Sequence, residues 1–297
     1  MKKNDMVESL GARLKGYEKD FESRIDAEDY IVCRIDGHKF SKFTKGFKKP
    51  FDETLSNAMV QTTNDLVAKF GAVTGYTQSD EITLIFIPQF HDKDDEIINN
   101  QVFGGRIQKM VSLIAAFTTM KFNKHLEDGI KQSTAKIEEY FSNAFRMTTE
   151  EEEFEIKREI MFSKIGNAWF DARIYGVSDK EEAFNSLMWR VRDAEKNSRS
   201  MFAQTYCSHK SLLNKTGKEQ VEFCKETTSM DWETIDDKYK YGVLVKKEKY
   251  EKIATIKDRN TGDEIQTKVM RTKTINWAEP LTSFSDEKVD LIIRKLK

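Results

Sequence analysis

The sequence predicts an α+β fold: an antiparallel sheet with helices on one face, followed by a helical segment and a β-hairpin. Three observations predict it. Two long stretches, 52–70 and 104–126, repeat apolar residues at helical intervals. Four short runs rich in β-branched and aromatic residues are threaded between them in the order strand, helix, strand, strand, helix, strand. The composition suits a chain with a sizeable core: 297 residues, 38% hydrophobic and 33% charged, with 49 Lys plus Arg against 50 Asp plus Glu.

Taken in order, "ESLGARLKGYEKDFESRI" is an amphipathic helix, with Leu10, Leu14, Tyr17 and Phe21 recurring at steps of three or four. "YIVCRID" is a strand closed by Asp-Gly, a natural strand end. "DETLSNAMVQTTNDLVAKF" is a helix with Leu55, Met59, Leu66 and Phe70 on one face and Asp52 as N-cap. "AVTGY" and "EITLIF" are short strands joined as a hairpin through "TQSD". "GGRIQKMVSLIAAFTTMKFNKHL" is the second helix, with Ile107, Val111, Ile114 and Phe117 aligned, and "AWFDARIY" is the fourth strand. This order is the ferredoxin-like split βαβ arrangement.

A long insert, about 128–164, separates the second helix from the fourth strand. Its acidic run "TTEEEEFEIKRE" is an exposed helix with a solvated face. Residues 1–176 therefore form a palm-like unit. Residues 177–297 form an extension packed on it: a helix from 178 to 206 capped by Ser178, further helix through "HKSLLNKTGKEQVEFCKE", and a hairpin around "NTGD". Trp189 and Phe202 are expected in the core, and the scattered His91, His125 and His209 at the surface or in loops.

Near-neutral charge argues against binding nucleic acid through overall charge, although a local basic groove remains compatible with it. Cys33, Cys207 and Cys224 share no metal-binding spacing and are odd in number, which disfavours structural zinc and a disulfide framework. No apolar run approaches the ~18–20 residues of a membrane span, and the N-terminus lacks a signal-peptide core. A soluble, reduced, cytoplasmic protein without membrane contact is expected.

Alternation in the first strand puts Val32, Arg34 and Asp36 on one side and Ile31, Cys33 and Ile35 on the other. In a split βαβ sheet the first and third strands are central neighbours. Asp36 and Asp80, at the entrance to the third strand, then meet at the end of the sheet. Close carboxylates repel unless a cation neutralises them. Mg²⁺, which favours one or two carboxylates plus substrate phosphates, suits such a pair. Two such ions can activate a hydroxyl and stabilise a leaving phosphate, as in the palm of polynucleotide polymerases. Asp-Gly and Ser-Asp are also ordinary turn pairs, and it is their joint placement that carries the functional reading.

"RIDGHKFSKFTKGFKKPFD" followed by "YTQSDEITLIF" resembles the tRNA-His guanylyltransferase family and its relatives, the reverse (3′-to-5′) nucleotide polymerases. "FDARIY" and "MWRVRDAEKNS" match its next strand and its W-R-x-x-D helix start, so the resemblance covers about 10–242. It implies that Asp36, Asp80 and the Gly37 carbonyl bind two Mg²⁺ ions, with Glu81 supporting the carboxylates. It further implies that Gly37, His38, Lys39, Phe40 and Ser41, with Ser79, contact a nucleoside triphosphate, ATP or GTP, as activating nucleotide and substrate. Arg34, Lys48 and Lys49 are candidate phosphate neutralisers; surface charge is the plain alternative for the lysines, and a core position for Phe40. The partner implied is the 5′ end of tRNA, and the family's assembly is a homotetramer.

One departure bears on substrate. Where eukaryotic-type members carry H-I-N-N-L-Y-N, this chain reads "AEKNSRSM", with Glu195 in place of the histidine and only Asn197 retained. That segment helps bind the 5′ end in the family. The departure resembles bacterial and phage-type members and favours template-dependent 5′-end repair, with tRNA-His guanylylation as the alternative activity. Two other classes share the fold expectation. Nucleotide cyclases use the same palm, but their G-G-[DE]-E-F hairpin is absent. A non-catalytic RNA-binding module would show aromatics on the sheet face where this strand carries Arg34 and Asp36.

Overall fold

The structure, a computed structural model, describes residues 3–91, 97–99, 101–142, 149–257 and 264–294. Helix α1 (Lys3–Lys19) leads into strand β1 (Tyr30–Gly37), the single turn α2 (Phe40–Phe43) and α3 (Glu53–Phe70). Strands β2 (Thr74–Gln78) and β3 (Glu81–Phe86) follow, then a small pair, β4 (Phe90–His91) and β5 (Ile97–Asn99). After α4 (Ile107–Ser142) and α5 (Thr149–Phe162) come β6 (Phe170–Val177), α6 (Lys180–Tyr206), α7 (His209–Leu212), α8 (Gly217–Thr228) and α9 (Asp237–Tyr241). The long strands β7 (Val243–Lys257) and β8 (Glu264–Trp277) precede α10 (Asp286–Ile293).

The main sheet runs β6-β1-β3-β2-β7-β8, with every pairing antiparallel. Its first four strands have the split βαβ order that the sequence predicts, and β7–β8 extend it beyond β2. The "NTGD" turn between those two strands lies outside the described residues.

Burial sets the register. Ile31, Cys33 and Ile35 of β1 join Ile82, Leu84 and Phe86 of β3 against Met59 and Leu66 of α3 and Met110, Ile114 and Phe122 of α4. A slip of one residue would push Arg34 and Asp36 into this core, so the pairing is strongly specified. α3 starts as expected at Asp52, whose carboxylate accepts from the Leu55 N–H (3.0 Å).

The opposite face is covered by α6 and α10, where Phe184, Leu187 and Val191 pack with Tyr76, Ile85, Leu244, Val289 and Ile292. The α6 cap is Asp179, one residue after the expected Ser178: the carboxylate accepts from the Glu182 N–H at 2.8 Å, while Ser178 donates to Asp179. Phe202 is buried with Trp232 and Cys224 as expected. Trp189 is not in the core: it is 55% exposed, with Arg34 of β1 near its ring. His125 is half-buried on α4 and bonds Asp65 of α3 (2.8 Å), a helix-to-helix contact rather than a loop position.

The fully buried Lys246 of β7 donates to the Thr74 hydroxyl (3.0 Å) and to the Leu291 and Ile292 carbonyls (2.6 and 2.8 Å), tying α10 to the sheet. The acidic insert is helical, as the lower part of α4 and as α5, and Ile156 and Glu159 of α5 face solvent. Among the described residues no helix is long and apolar enough to cross a membrane.

Candidate active site

β1, β3 and β6 end together and present one charged row. Asp36 lies opposite Glu81 of β3 on one side and opposite Asp171 of β6 on the other. One step along, Arg34 faces Thr83 and Arg173. Directly opposed like charges destabilise a ladder, so stability alone gives no reason for Asp36 to face two carboxylates or for Arg34 to face Arg173. The Arg173 guanidinium is 4.0 Å from Asp36, diagonally across the ladder, and 3.6 Å from Asp171 on its own strand.

Asp80 is brought to this row by the tight turn Ser79–Asp80, which is shorter than the predicted "TQSD" connection because β2 runs through Gln78. The Asp80 carbonyl accepts from the Gly37 N–H (3.0 Å), so the two motif backbones are bonded. Ser79 has φ 54° and Lys39 φ 54°, left-handed values uncommon for residues with a side chain, and both flank the carboxylates. Burial pushes the Asp80 carboxyl up, and the Asp36 charge pushes it further, against hydrogen bonds from its own backbone and from Ser79.

Glu81 has a different environment. Arg190 of α6 donates to both its oxygens, from Nε and Nη2 (2.5 and 2.7 Å), and also reaches Asp193 (3.2 Å). Glu81 and Arg190 side chains are each 15% exposed. Burial holds the Glu81 carboxyl above its ordinary value even against Arg190, while the Glu81 hydrogen bond and charge keep the guanidinium firmly protonated. Asn197 donates to Asp193 (3.1 Å), which completes a chain from Asn197 through Asp193 and Arg190 to Glu81. Arg190 lies over the exposed Trp189 ring (4.5 Å), with Arg34 at 5.9 Å.

Gly37 has a packing reason. A Cβ there would sit 2.3 Å from the Phe40 ring, so the glycine allows Phe40 to fold back beneath the strand end. Phe40 is accordingly core: 6% exposed and in ring contact with Phe43, Phe122 and Phe170. Of the other expected nucleotide contacts, Ser41, Lys48, Lys49, Ser79 and Asp80 line a groove of about 800 Å³ with Phe40 at its floor. The far wall comes from the C-terminal part of the chain and includes Gln204, Lys238 and Tyr239, the last stacked on Phe51 at 4.8 Å. His38 instead borders a separate depression of about 410 Å³ with Trp169, Phe170 and Asp171. Arg34, Asp36, Gly37, Lys39 and Asn197 border neither.

The donor set fits a hard cation. Asp80 is a half-buried carboxylate beside Asp36, and no cation pairs with it within salt-bridge distance among the described residues. No group of three or more His, Cys, Asp or Glu gathers into a metal cage among those residues. Two carboxylates and a backbone carbonyl are what an ion completing its shell with water and phosphate requires.

Sequence reasoning missed Asp171, Arg173 and Arg190 as members of the site. The first two were partly legible: alternation puts Asp171 and Arg173 on one face of their strand, and the antiparallel ladder then sets Asp171 opposite Asp36. The link from Arg190 to Glu81 depends on how α6 crosses the sheet, which no local pattern encodes.

Residues 11–178 match the family model described as tRNAHis guanylyltransferase (Thg1). A protein of Acanthamoeba polyphaga mimivirus, called uncharacterized protein R259, is 36% identical over 82% of this chain and 79% of its own length. Two solved structures of a bacterial tRNA(His) guanylyltransferase (Thg1)-like protein are similar. The complex with ATP has TM-score 0.63 and 27% identity, over 80% of this chain and 87% of that one. The complex with GTP has TM-score 0.59 and 26% identity, over 90% of each.

Proposed function

We propose that this chain, which belongs to the tRNAHis guanylyltransferase family and is a nucleotidyltransferase of that kind, adds nucleotides to the 5′ end of tRNA in the 3′-to-5′ direction. The observation that carries the proposal is the carboxylate Asp80, half-buried against Asp36 at the head of a groove lined by Ser41, Lys48, Lys49 and Ser79.

In this reading Asp36, Asp80 and the Gly37 carbonyl hold two Mg²⁺ ions. Bound there, the ions supply charge stabilisation to the reacting phosphates and lower the pKa of an attacking hydroxyl. Lys48 and Lys49 neutralise the triphosphate in the groove, while the backbone from Gly37 to Ser41, with His38 and Lys39, and the Ser79 turn position it. Arg34 meets phosphate from the sheet face. Glu81 is a positioning residue: fixed by Arg190, it holds the β1 and β3 ends in register. Asn197 steadies Arg190 through Asp193.

The reaction joins the 3′-hydroxyl of an incoming nucleotide to the α-phosphorus of an activated 5′ end. Pyrophosphate leaves from a triphosphate end, or AMP from an adenylylated monophosphate. Positioning and electrostatics provide most of the rate. The catalytic unit is 1–176 and the rest is its extension. A reduced, cytoplasmic setting accords with three free cysteines. A homotetramer gives the exposed Leu10, Leu14 and Tyr17 of α1 a neighbouring copy to meet.

Glu195 is engaged by Arg199 (2.5 Å), so the position does not offer the free imidazole of eukaryotic-type relatives. This favours repair of truncated 5′ ends over identity maturation. The test supplies 5′-labelled truncated and full-length tRNAs with each NTP and Mg²⁺. Addition that follows the template base on truncated tRNA is expected. Addition of G to intact tRNA-His alone would overturn the repair reading, and a cyclic product from GTP without RNA would overturn nucleotidyl transfer to RNA.

A further inference from the structure

The outward face of β6 carries a strip that the proposed chemistry does not use in full. Alternate residues of a strand point the same way, and Asp171, Arg173 and Tyr175 follow one another at that interval along this edge strand, with Trp169 immediately before its first residue. All four are solvent-facing: Trp169 is 67% exposed and Tyr175 41%, and the Asp171 and Arg173 side chains are 53% and 57% exposed. A strand face that met only water would gain nothing from a tryptophan and a tyrosine at either end of a charged pair.

The strip is continuous with the candidate active site. Asp171 is the ladder partner of Asp36, and Arg173 of Arg34. The Trp169 carbonyl accepts from the His38 N–H (2.8 Å), which fixes the tryptophan beside the loop leaving Asp36. Aromatic faces interleaved with guanidinium groups are how proteins hold single-stranded nucleic acid: the rings stack on bases and the cations track phosphate. Arg34 and Arg173 stand opposed across the ladder as like charges that an anion lying between them would stabilise. Asp171, placed between ring and guanidinium, disfavours phosphate at its own position and offers an acceptor to ribose hydroxyls, the groups that mark RNA.

We propose that this strip is the docking surface for the RNA strand whose 5′ end is extended, with Trp169 stacked on the base nearest the reaction and the Arg34–Arg173 pair meeting its phosphates. The proposal rests on the nucleotidyl-transfer reading, since it takes the carboxylate row as the point the RNA end must reach.

The test is equilibrium binding of a fluorescently labelled, 5′-truncated tRNA to the full chain at several salt concentrations. It compares wild type with Trp169→Ala, Trp169→Phe and Arg173→Ala. A parallel titration uses a fluorescent NTP without RNA. Trp169→Ala is expected to weaken RNA binding roughly 5- to 100-fold, and Trp169→Phe to recover most of it. Arg173→Ala should reduce the slope of log affinity against log salt by about 0.7–0.9. NTP affinity should stay at the wild-type value in both Trp169 variants.

Unchanged RNA affinity in both alanine variants would overturn the strip, as would NTP affinity that falls in step with RNA affinity in the Trp169 variants. Wild-type protein that binds RNA with this signature yet incorporates no nucleotide would sink the reaction and leave the strip standing. Incorporation with unaltered RNA binding in the variants would do the reverse.

Discussion

Asp80 sits half-buried beside Asp36, with its carboxyl pushed up by burial and by that neighbour's charge. Such a group costs stability while ionised, and a divalent cation bound there would remove the cost. Asp80→Asn should therefore melt at or slightly above the wild-type temperature without metal and lose the upward shift that Mg²⁺ gives wild type; differential scanning fluorimetry reads both. Burial pushes the Glu81 carboxyl up as well, but unlike Asp80 it is paired with a cation, Arg190. Arg190→Met should cost about 3–5 kcal/mol by leaving a buried carboxylate uncompensated. Combined with Glu81→Gln, the loss should be clearly smaller than the sum of the single losses in urea denaturation. Additive losses would mean that the two side chains do not act as a pair. Gly37→Ala forces a methyl against the Phe40 ring, with an expected cost of about 1–3 kcal/mol.

At the scale of elements, the strands and the two palm helices were legible because periodicity and burial agree. "YIVCRID" alternates core residues with Arg34 and Asp36. "EITLIF" is instead buried on both faces beyond Glu81, with Ile82, Leu84 and Phe86 in one cluster and Ile85 in the other, and these burials set the register. Boundaries moved where side-chain chemistry outweighed pattern: Asp179 took the cap from Ser178, and β2 absorbed half of the expected turn. Trp189 was misread because a tryptophan on a helix suggests core. Here it is a platform for Arg190 and Arg34, set by where α6 crosses the sheet.

Lys246 shows what no local signal reports: a lysine of the long C-terminal hairpin that is buried under α10. Burial lowers its pKa from 10.5 to about 7. Between those values the unfolded chain binds a proton that the folded chain does not. Stability should therefore rise with pH between about 7 and 10.5, by at most ~1.4 kcal/mol per unit, and this gain should be lost progressively as pH falls back to about 7. Lys246→Met should flatten this dependence in chemical denaturation, and an unchanged slope would show that another group is responsible.

On the scale of the whole molecule, the palm positions its chemistry at the end of the sheet while the C-terminal part completes the surroundings. α6 supplies Arg190 and the chain to Asn197, and Gln204, Lys238 and Tyr239 wall the groove opposite Lys48 and Lys49. Motifs in sequence named the carboxylates, but the groove's far wall comes from residues beyond 178, where the family match ends. The central claim is that Asp36 and Asp80 together make nucleotide addition depend on Mg²⁺. The most direct measurement is incorporation of labelled nucleotide at the 5′ end of a truncated tRNA across a Mg²⁺ titration, for wild type, Asp36→Ala and Asp80→Ala. Saturable, metal-dependent incorporation by wild type and a loss of at least about a hundredfold in each folded variant is predicted. Incorporation near the wild-type rate by either variant would contradict the account.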